Sequence, residues 1–479
     1  MASSRKSSRS RTRAGDLAAR VATQIGEIVR PSDRVVLGLS GGVDSVVLLD
    51  CLRRAARGRR LRLSALHVNH QLSPNAARWA AFCRRLCGAH GIPFVSVKVK
   101  VARGDSLEAA ARAARYAVFA RQDCDFVALA HHRDDQVETL FLQLLRGAGV
   151  KGLAAMPLVR KAEGGRRKAN GASPITHHPS PAILRPLLDV TRQEILEYAK
   201  KRKLKWIEDE SNQDVYFQRN FLRHEIFPAI ARRFPAYRAT VARSARHLAE
   251  AARLLEEVAA ADGAGQIEGG ALAVEALRRL PPARARNLLR HFLAGHGVNP
   301  PGAGRLEEAL RQALGAKQDA RVRVDLGGFE LHRFQGRLHV VQRVPPVCKD
   351  YARRWRGERT LALPELGGVL AMTPSRGQGV SLDRLRGGTV TIRVRRGGER
   401  LQPDCHRPRR SLKNLLQEER VPPWRRGHLP LIFCGEELVW AGGVGMDCKY
   451  QATGVEPSIR PAWSTGAEGV AAVTRRPAR

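Results

Sequence analysis

The chain is 479 residues long, which at roughly 150 residues per domain predicts about three domains. Hydrophobic residues make up 43% of it, enough for sizeable cores and too many for wholesale disorder. Lysine and arginine outnumber the acids 83 to 45, a net charge of +38 at pH 7. Such a surface calls for a polyanion, and nucleic acid is the commonest one.

Residues 1–30 read as a basic tail. The first thirteen (MASSRKSSRSRTR) hold five bases and no acid, with no apolar stretch behind them, so they are not a secretory signal; an organellar transit peptide is the competing reading. No window approaches the roughly 18 apolar residues that a membrane span needs, so no membrane is expected. Eight cysteines spread over the chain make no disulfide framework. The protein therefore reads as cytoplasmic and reduced.

From Val35 to about Leu145 apolar runs alternate with amphipathic stretches. Val35–Leu39, Leu61–Val68, Phe94–Val99 and Phe126–Ala130 read as buried strands, and Val43–Ala56, Ala76–His90 and Leu107–Arg121 as helices. This alternation predicts crossover units and a parallel sheet, an α/β fold. Cys83, Cys87 and His90 share a helical face, a zinc pattern without a fourth ligand. Trp79, Phe82 and Leu86 interleave with them, so packed core thiols are expected. Lys161–Pro181 is rich in breakers and reads as a long loop inside the domain, after which Ile183–Leu188 resumes a strand-like run.

Pro228 and Pro235 close this first region. Beyond them Val241–Ala260 carries a helix stripe at Leu248, Leu254, Leu255 and Val258, and a basic helix pair spans Ala276–Leu293. Val322, Val324, Leu326, Gly327-Gly328, Phe329 and Leu331 predict a hairpin. A last unit runs from Thr360 to Ser458, with a strand at Thr389–Val394 and a helix at Leu412–Glu419.

The first strand runs into Ser40-Gly41-Gly42-Val43-Asp44-Ser45 and at once into an apolar helix. Two glycines let backbone amides wrap an anion, and the helix N-terminus adds its positive end. The lysine of a Walker loop is missing. Asp44 instead sets a carboxylate beside the phosphates, which makes sense if a cation such as Mg2+ stands between them. The bland alternative is a glycine turn with Asp44 as a dipole partner. The full string resembles the pyrophosphatase loop of the ATP-pyrophosphatase (PP-loop) superfamily, whose members cleave ATP to AMP and pyrophosphate while activating a carbonyl oxygen.

Further motifs narrow the choice: His67-Val68-Asn69-His70 after the second strand, Leu107–Tyr116 with Arg112 and Arg115 on one face, and Ala130-His131-His132-Arg133-Asp134-Asp135-Gln136-Val137-Glu138-Thr139 after the fourth strand. Leu184-Arg185-Pro186-Leu187-Leu188, Trp206–Asn212 and Arg219-Asn220-Phe221-Leu222-Arg223 follow. Arg112 and Arg115, three apart, suit phosphate or RNA. Histidines at strand ends satisfied by backbone, helix-opening acids or a zinc site are the rival readings of the histidines and acids. Position at the carboxyl edge of the same sheet favours function, above all for His131 and Asp135.

In that order these motifs resemble tRNA(Ile)-lysidine synthetases, continuously from about Val35 to Phe234. The likeness resumes at Arg410–Leu416, Val421–Arg425 and on to Gly443. The resemblance implies a Rossmann-like catalytic domain over 31–235, a helical substrate or tRNA-binding domain over 236–345, and a small α+β tRNA-binding domain over 360–458. It also implies the reaction. The C2 oxygen of the wobble cytidine in a CAU-anticodon isoleucine tRNA attacks the α-phosphate of ATP; the ε-amine of free L-lysine then displaces AMP and leaves lysidine. On that reading Ser40 to Ser45 bind ATP, and Asp44 and Asp135 share Mg2+. His131 with Arg112 or Arg115 meets the α-phosphate and cytosine, Glu138 holds the lysine ammonium, and His67, His132 and Arg219 line the substrate. Asp44, His131 and Asp135 are the expected catalytic set. The oligomeric state stays open, a homodimer included.

A tRNA thiolation enzyme with the same loop is the nearest rival, but it needs an activated cysteine near the site, and neither Cys51 nor Cys124 looks nucleophilic. An amidotransferase-linked synthetase would need a glutaminase centre, and a purely RNA-binding module leaves the glycine loop unexplained. In the last unit Arg407, Arg409, Arg410, Lys413, Arg425 and Arg426 gather with few balancing acids around Pro422-Pro423-Trp424. The arginines are expected to grip tRNA phosphate, and Trp424 to anchor the small core formed with Leu431, Ile432 and Phe433, with stacking on an unpaired base as the competing reading.

Overall fold

The computed structural model describes residues 17–59, 61–101, 107–160, 181–208, 210, 214–299, 301–316 and 322–465. Most of the basic tail and nearly all of the 161–181 loop lie outside the described residues. The described chain forms two compact units, one from residues within 1–265 and 280–300, the other from 266–279 and 301–479.

The first unit opens with α1 (Leu17–Gly26), β1 (Arg34–Gly38), α2 (Val43–Arg59), β2 (Arg62–Asn69), α3 (Ala76–Gly88), β3 (Phe94–Lys98), α4 (Leu107–Phe119) and β4 (Phe126–Ala128). It continues through α5 (Arg133–Leu145), α6 (Val150–Leu153), β5 (Val159–Arg160), β6 (Ala182–Leu184), α7 (Arg192–Lys201), α8 (Gln218–Phe221), α9 (Phe227–Arg233) and α10 (Tyr237–Gly263). The sheet order is β3-β2-β1-β4-β6-β5. All pairings are parallel except the edge pair β5–β6. The first four strands read from the sequence are present, shifted by a residue or two, whereas the run at Ile183–Leu188 is a strand only over Ala182–Leu184.

Alternation along β1 feeds both faces of the sheet. Val35 and Leu37 join a core with Leu17, Val21, Ile25, Val47, Leu48 and Leu52, whereas Val36 joins Leu66, Phe119, Val127 and Leu129 on the other side. The expected core thiols are there: Cys83 and Cys87 are fully buried, while His90 is exposed. The strand order reverses between β1 and β4. A crevice therefore opens at their carboxyl ends, where an α/β sheet takes its ligand.

The segment after Phe234 does not start a new unit. Tyr237 packs on Phe227, their rings 5.5 Å apart, and the Arg238 guanidinium donates to Asp134 at 2.6 Å, so α10 lies along α5 and α6. Its buried residues are Tyr237, Ala245, Ala259 and Gly263, while Leu254, Leu255 and Val258 are exposed. Three of the four residues of the apolar stripe read from the sequence are thus exposed, and Leu248 is half-buried.

In the second unit β7 (Ile267–Glu268), β8 (Ala271–Ala273), β9 (Arg323–Asp325), β10 (Phe329–Phe334) and β11 (Arg337–Gln342) form an antiparallel sheet in the order β7-β8-β11-β10-β9. The helical middle segment therefore also carries a sheet, of which the sequence showed one hairpin. Gly327 and Gly328 have φ of 76° and 75°, as a two-residue hairpin turn demands. The C-terminal part holds the strand Val390–Arg393 and the helix Leu412–Glu418.

Two expectations change here. Trp424 is half-buried outside the Leu431–Phe433 core: it stacks on His332, ring centroids 4.5 Å apart, and meets His339 and Phe334 at 5.3 and 5.8 Å. Three of the arginines are also balanced. Arg407 pairs with Asp404 at 3.5 Å, Arg409 with Asp447 at 2.8 Å, and Arg410 donates to Glu418 at 2.7 Å.

Candidate active site

The loop between β1 and α2 holds itself in shape. Gly41 has φ 94°, and a Cβ there would come within 2.9 Å of the Ile207 side chain and 3.2 Å of Cys83 Sγ. Only glycine fits that turn. The Ser45 hydroxyl accepts the Gly41 N–H at 3.1 Å and donates to the Gly42 carbonyl at 2.9 Å, and the Ile207 N–H donates to the Gly41 carbonyl at 3.0 Å. Ser45 and Val43 are buried in this role, whereas Ser40 is exposed. His67 does similar work: its Nδ1 lies 2.9 Å from the Leu39 carbonyl, and it is 5% exposed. It supports the end of the first strand.

From β4 the chain delivers His131 and His132 and enters α5, with the His132 N–H donating to Asp135 at 2.8 Å. The His132 ring then stands among three carboxylates. Its Nε2 is 3.8 Å from Asp44 Oδ1 and 3.6 Å from Asp135 Oδ2, and its Nδ1 is 3.8 Å from Asp134 Oδ2. The structure thus joins the glycine loop to α5, 91 residues apart (135 − 44). Asp134 is spent on structure, accepting from Arg238 and from the Arg192 N–H at 3.1 Å.

Electrostatics separate the two remaining aspartates. Burial pushes the Asp44 carboxyl above its usual range and Asp135 adds to this, against the pull of His132 and Arg192. Burial opposes charge at Asp135 too, but His132, His131 and the His132 N–H hold its carboxyl below the usual range. Burial lowers His131 to about 3, helped by Arg185, Arg112 and Arg219, so its ring is neutral at neutral pH. Asp44 Oδ1 and the Nδ1 atoms of His131 and His132 are buried without a hydrogen-bond partner. Orphaned polar atoms are rare in folded proteins. Several in one crevice, with two carboxylates on one imidazole, suit a bound cation or a polar ligand, and the all-oxygen pair fits a hard divalent ion.

Glu138, expected to offer a free carboxylate, already holds a cation. It is 1% exposed, and its Oε1 accepts from Arg223 Nε at 2.9 Å and Nη2 at 2.6 Å, while Oε2 has no partner. Burial raises the Glu138 carboxyl and Asp135 raises it further, against Arg223. Arg223 rides on a π turn, Leu222–Ile226, a distortion frequent at functional sites. Arg219 lies 3.6 Å from Glu108 and 3.5 Å from Thr139, and Arg112 lies over the Tyr116 ring at 4.9 Å. Arg115 is exposed on the same helix. Arg223 and Arg185 lie within the sequence motifs, but nothing in the motifs assigns either a role. Arg185 is 1% exposed and donates to the Pro157 carbonyl at 2.8 Å. A buried arginine shows itself only when its acceptors are in place.

The thiols do not form a second chemistry here. Burial pushes Cys51 and Cys83 up to about 12, and Cys87 and Cys124 up to about 11. None is the activated nucleophile that sulfur transfer needs.

Comparison with known proteins fits this geometry. A PP-loop domain matches residues 17–230, a TilS substrate binding domain 272–339 and a TilS substrate C-terminal domain 390–463. A tRNA(Ile)-lysidine synthase of Nitrosomonas europaea is 45% identical over 443 residues, covering 91% of this chain and 93% of its own. The chain belongs to the tRNA(Ile)-lysidine synthase family. A Ralstonia nicotianae member is 40% identical over 437 residues, 88% of this chain and 90% of its own. Among solved structures, a U34-tRNA thiolase from Methanococcus maripaludis is similar at 19% identity and a TM-score of 0.41, covering 49% of this chain and 79% of its own. No helix among the described residues is long and apolar enough to cross a membrane.

Proposed function

We propose that this enzyme uses ATP to join free L-lysine to C2 of the wobble cytidine in a CAU-anticodon isoleucine tRNA, making lysidine in the cytoplasm. The observation that carries the site assignment is the buried, unpartnered Asp44 Oδ1 beside Asp135 at the glycine loop. Asp44 and Asp135 would hold Mg2+, which neutralises charge on the departing pyrophosphate. The backbone N–H of Gly42 and the Ser40 hydroxyl, at the exposed rim of the loop, bind the phosphates. His131, neutral and with a free Nδ1, accepts a hydrogen bond from the cytosine amino group or the incoming amine. Arg112, Arg115 and Arg219 meet the α-phosphate and the tRNA. The lysine ammonium docks at Glu138 Oε2, the oxygen that Arg223 leaves open.

Incubation of the full chain with ATP, labelled lysine and isoleucine tRNA, followed by nucleoside analysis, tests this reading. The expected product is labelled lysidine at the wobble position, with one pyrophosphate released per lysine incorporated. Pyrophosphate release that is indifferent to lysine, with no labelled nucleoside, would overturn it.

A further inference from the structure

A cavity of about 230 Å³ opens in the first unit, lined by Arg20 of α1, Arg133 of α5, Asp189, and Ala239, Ala242 and Arg246 of α10. It lies on the same edge of the sheet as the crevice. Arg133 directly follows His132; its N–H donates to the Val190 carbonyl at 2.8 Å, and its guanidinium donates to the Asp189 carbonyl. Ala239, Ala242 and Arg246 follow at spacings of three and four, so they share a face of α10, and the two alanines are too short to fill the gap. Arg20 donates to Glu194 at 2.9 Å, so its charge is answered. Among the described residues no carboxylate pairs with Arg133 or with the exposed Arg246. Asp189 brings the one carboxylate among the residues that line the cavity, against three guanidiniums. Between Glu225 and Glu250 the chain holds five arginines and no acid, and of these Arg238 is tied to Asp134. The reaction proposed above gives this cavity no part.

We propose that this cavity binds a phosphate of the tRNA backbone, with Arg133 and Arg246 closing on one phosphodiester from two different helices. The inference rests on the tRNA reading above and gives the catalytic unit its own hold on the RNA. A concave surface whose cations no acid answers favours an anion. A planar guanidinium offers paired N–H donors to the non-bridging oxygens, so two of them from separate elements fix the phosphate in place as well as neutralise it. Because Arg133 adjoins His132, the phosphate held belongs to the loop that carries the wobble base. Backbone contacts carry no sequence information, but they fix register. A phosphate anchored here therefore sets which nucleotide reaches His131 and the glycine loop.

Arg246 is the residue to change, since it is exposed and ties no other element down. Isoleucine tRNA carrying phosphorothioates is bound to the full-length protein and cleaved with iodine, and affinity is measured by filter binding over a range of salt. In the unaltered protein a phosphate of the anticodon loop is protected, and in R246A that phosphate alone becomes cleavable. Affinity at physiological salt falls about fivefold or more. The slope of log affinity against log salt shrinks by about 0.7–0.9, and R246K recovers it. ATP binding, unchanged in R246A, shows that the fold is intact. The same protected phosphates and the same slope in R246A and R246E overturn the proposal. Inorganic phosphate that raises the melting temperature of the unaltered protein but not of R246A, with the footprint unchanged, makes this a site for a free anion and overturns the backbone assignment. The labelled-lysine assay separates the two readings. An unaltered protein that protects the loop but makes no lysidine breaks the proposed reaction and leaves the cavity standing, whereas one that makes lysidine with a footprint indifferent to Arg246 breaks the cavity alone.

Discussion

The crevice at the end of β1 and β4 and the arginine-rich stretch at residues 407–410 handle charge in opposite ways. In the crevice the carboxylates of Asp44 and Asp135 and the imidazoles of His131 and His132 are largely buried, and several of their polar atoms have no partner. In that stretch Arg407 and Arg410 each pair with an acid at the surface, while Arg409 pairs with the buried Asp447. A buried orphan is costly, by about 1–3 kcal/mol for a neutral group and more for a charge, so it marks a place that a ligand completes. An exposed ion pair is worth little, about 0–1 kcal/mol, and exchanges readily for phosphate. Density of charge in the sequence is thus a poor guide to chemistry, and burial decides which charges do specific work.

The sharpest way to break this contrast is Asp44→Asn. If its carboxylate completes a cation site, pyrophosphate release falls by about 10²-fold or more while the fold survives. A mutant turning over near the normal rate would show that Asp44 holds no cation the reaction needs. Glu138→Gln comes next. It strips the counter-charge from Arg223 and the dock from the lysine ammonium, so KM for lysine should rise at least about tenfold, the equivalent of ~1.4 kcal/mol. Adenylation of tRNA should be largely spared, and equal loss of both half-reactions would place Glu138 elsewhere.

On the other side of the comparison, replacing Arg407, Arg409 and Arg410 by alanine should leave ATP binding intact and weaken tRNA binding. The slope of log affinity against log salt should shrink by about 0.7–0.9 for each phosphate that the variant no longer neutralises. Point changes are the cleaner probe. Ending the chain near Arg386 would remove the strand Pro457–Thr465, which pairs along the whole of Gly368–Arg376, and expose that sheet. The smallest effect concerns His131. Its folded pKa is about 3, below the ordinary value of 6.5, so between these values the unfolded chain binds a proton that the folded chain does not. Its contribution to stability is fully present above pH 6.5 and is lost as pH falls towards 3. In His131→Asn the urea midpoint should fall less steeply from pH 7 to 5 than in the unaltered protein; parallel slopes would contradict the buried, neutral imidazole.

Much of this molecule could be read from its letters. Local signals set β1, α2 and the glycine loop: apolar runs of strand length, two glycines and a helix opening on Asp44. The hairpin at Gly327-Gly328 is likewise local, since the turn demands positive φ at both positions. The order of motifs carried the family resemblance, and with it the pairing of Asp44 and Asp135 across 91 residues (135 − 44). Partnerships lay beyond reach. That Arg223 occupies Glu138, that Asp134 ties α10 through Arg238, and that Trp424 stacks on His332 depend on which surfaces meet. A charged side chain carries no mark of its partner in sequence. The exposed stripe of α10 shows the same limit from the apolar side. Periodicity marks a helix face, but the packed helix buries Ala245, Ala259 and Gly263 rather than Leu254, Leu255 and Val258. Sequence determined the elements and the loop because those rest on backbone preference and local pattern. The tertiary structure decided which charges are buried, paired or left waiting, because desolvation and partner geometry exist only once the chain has folded.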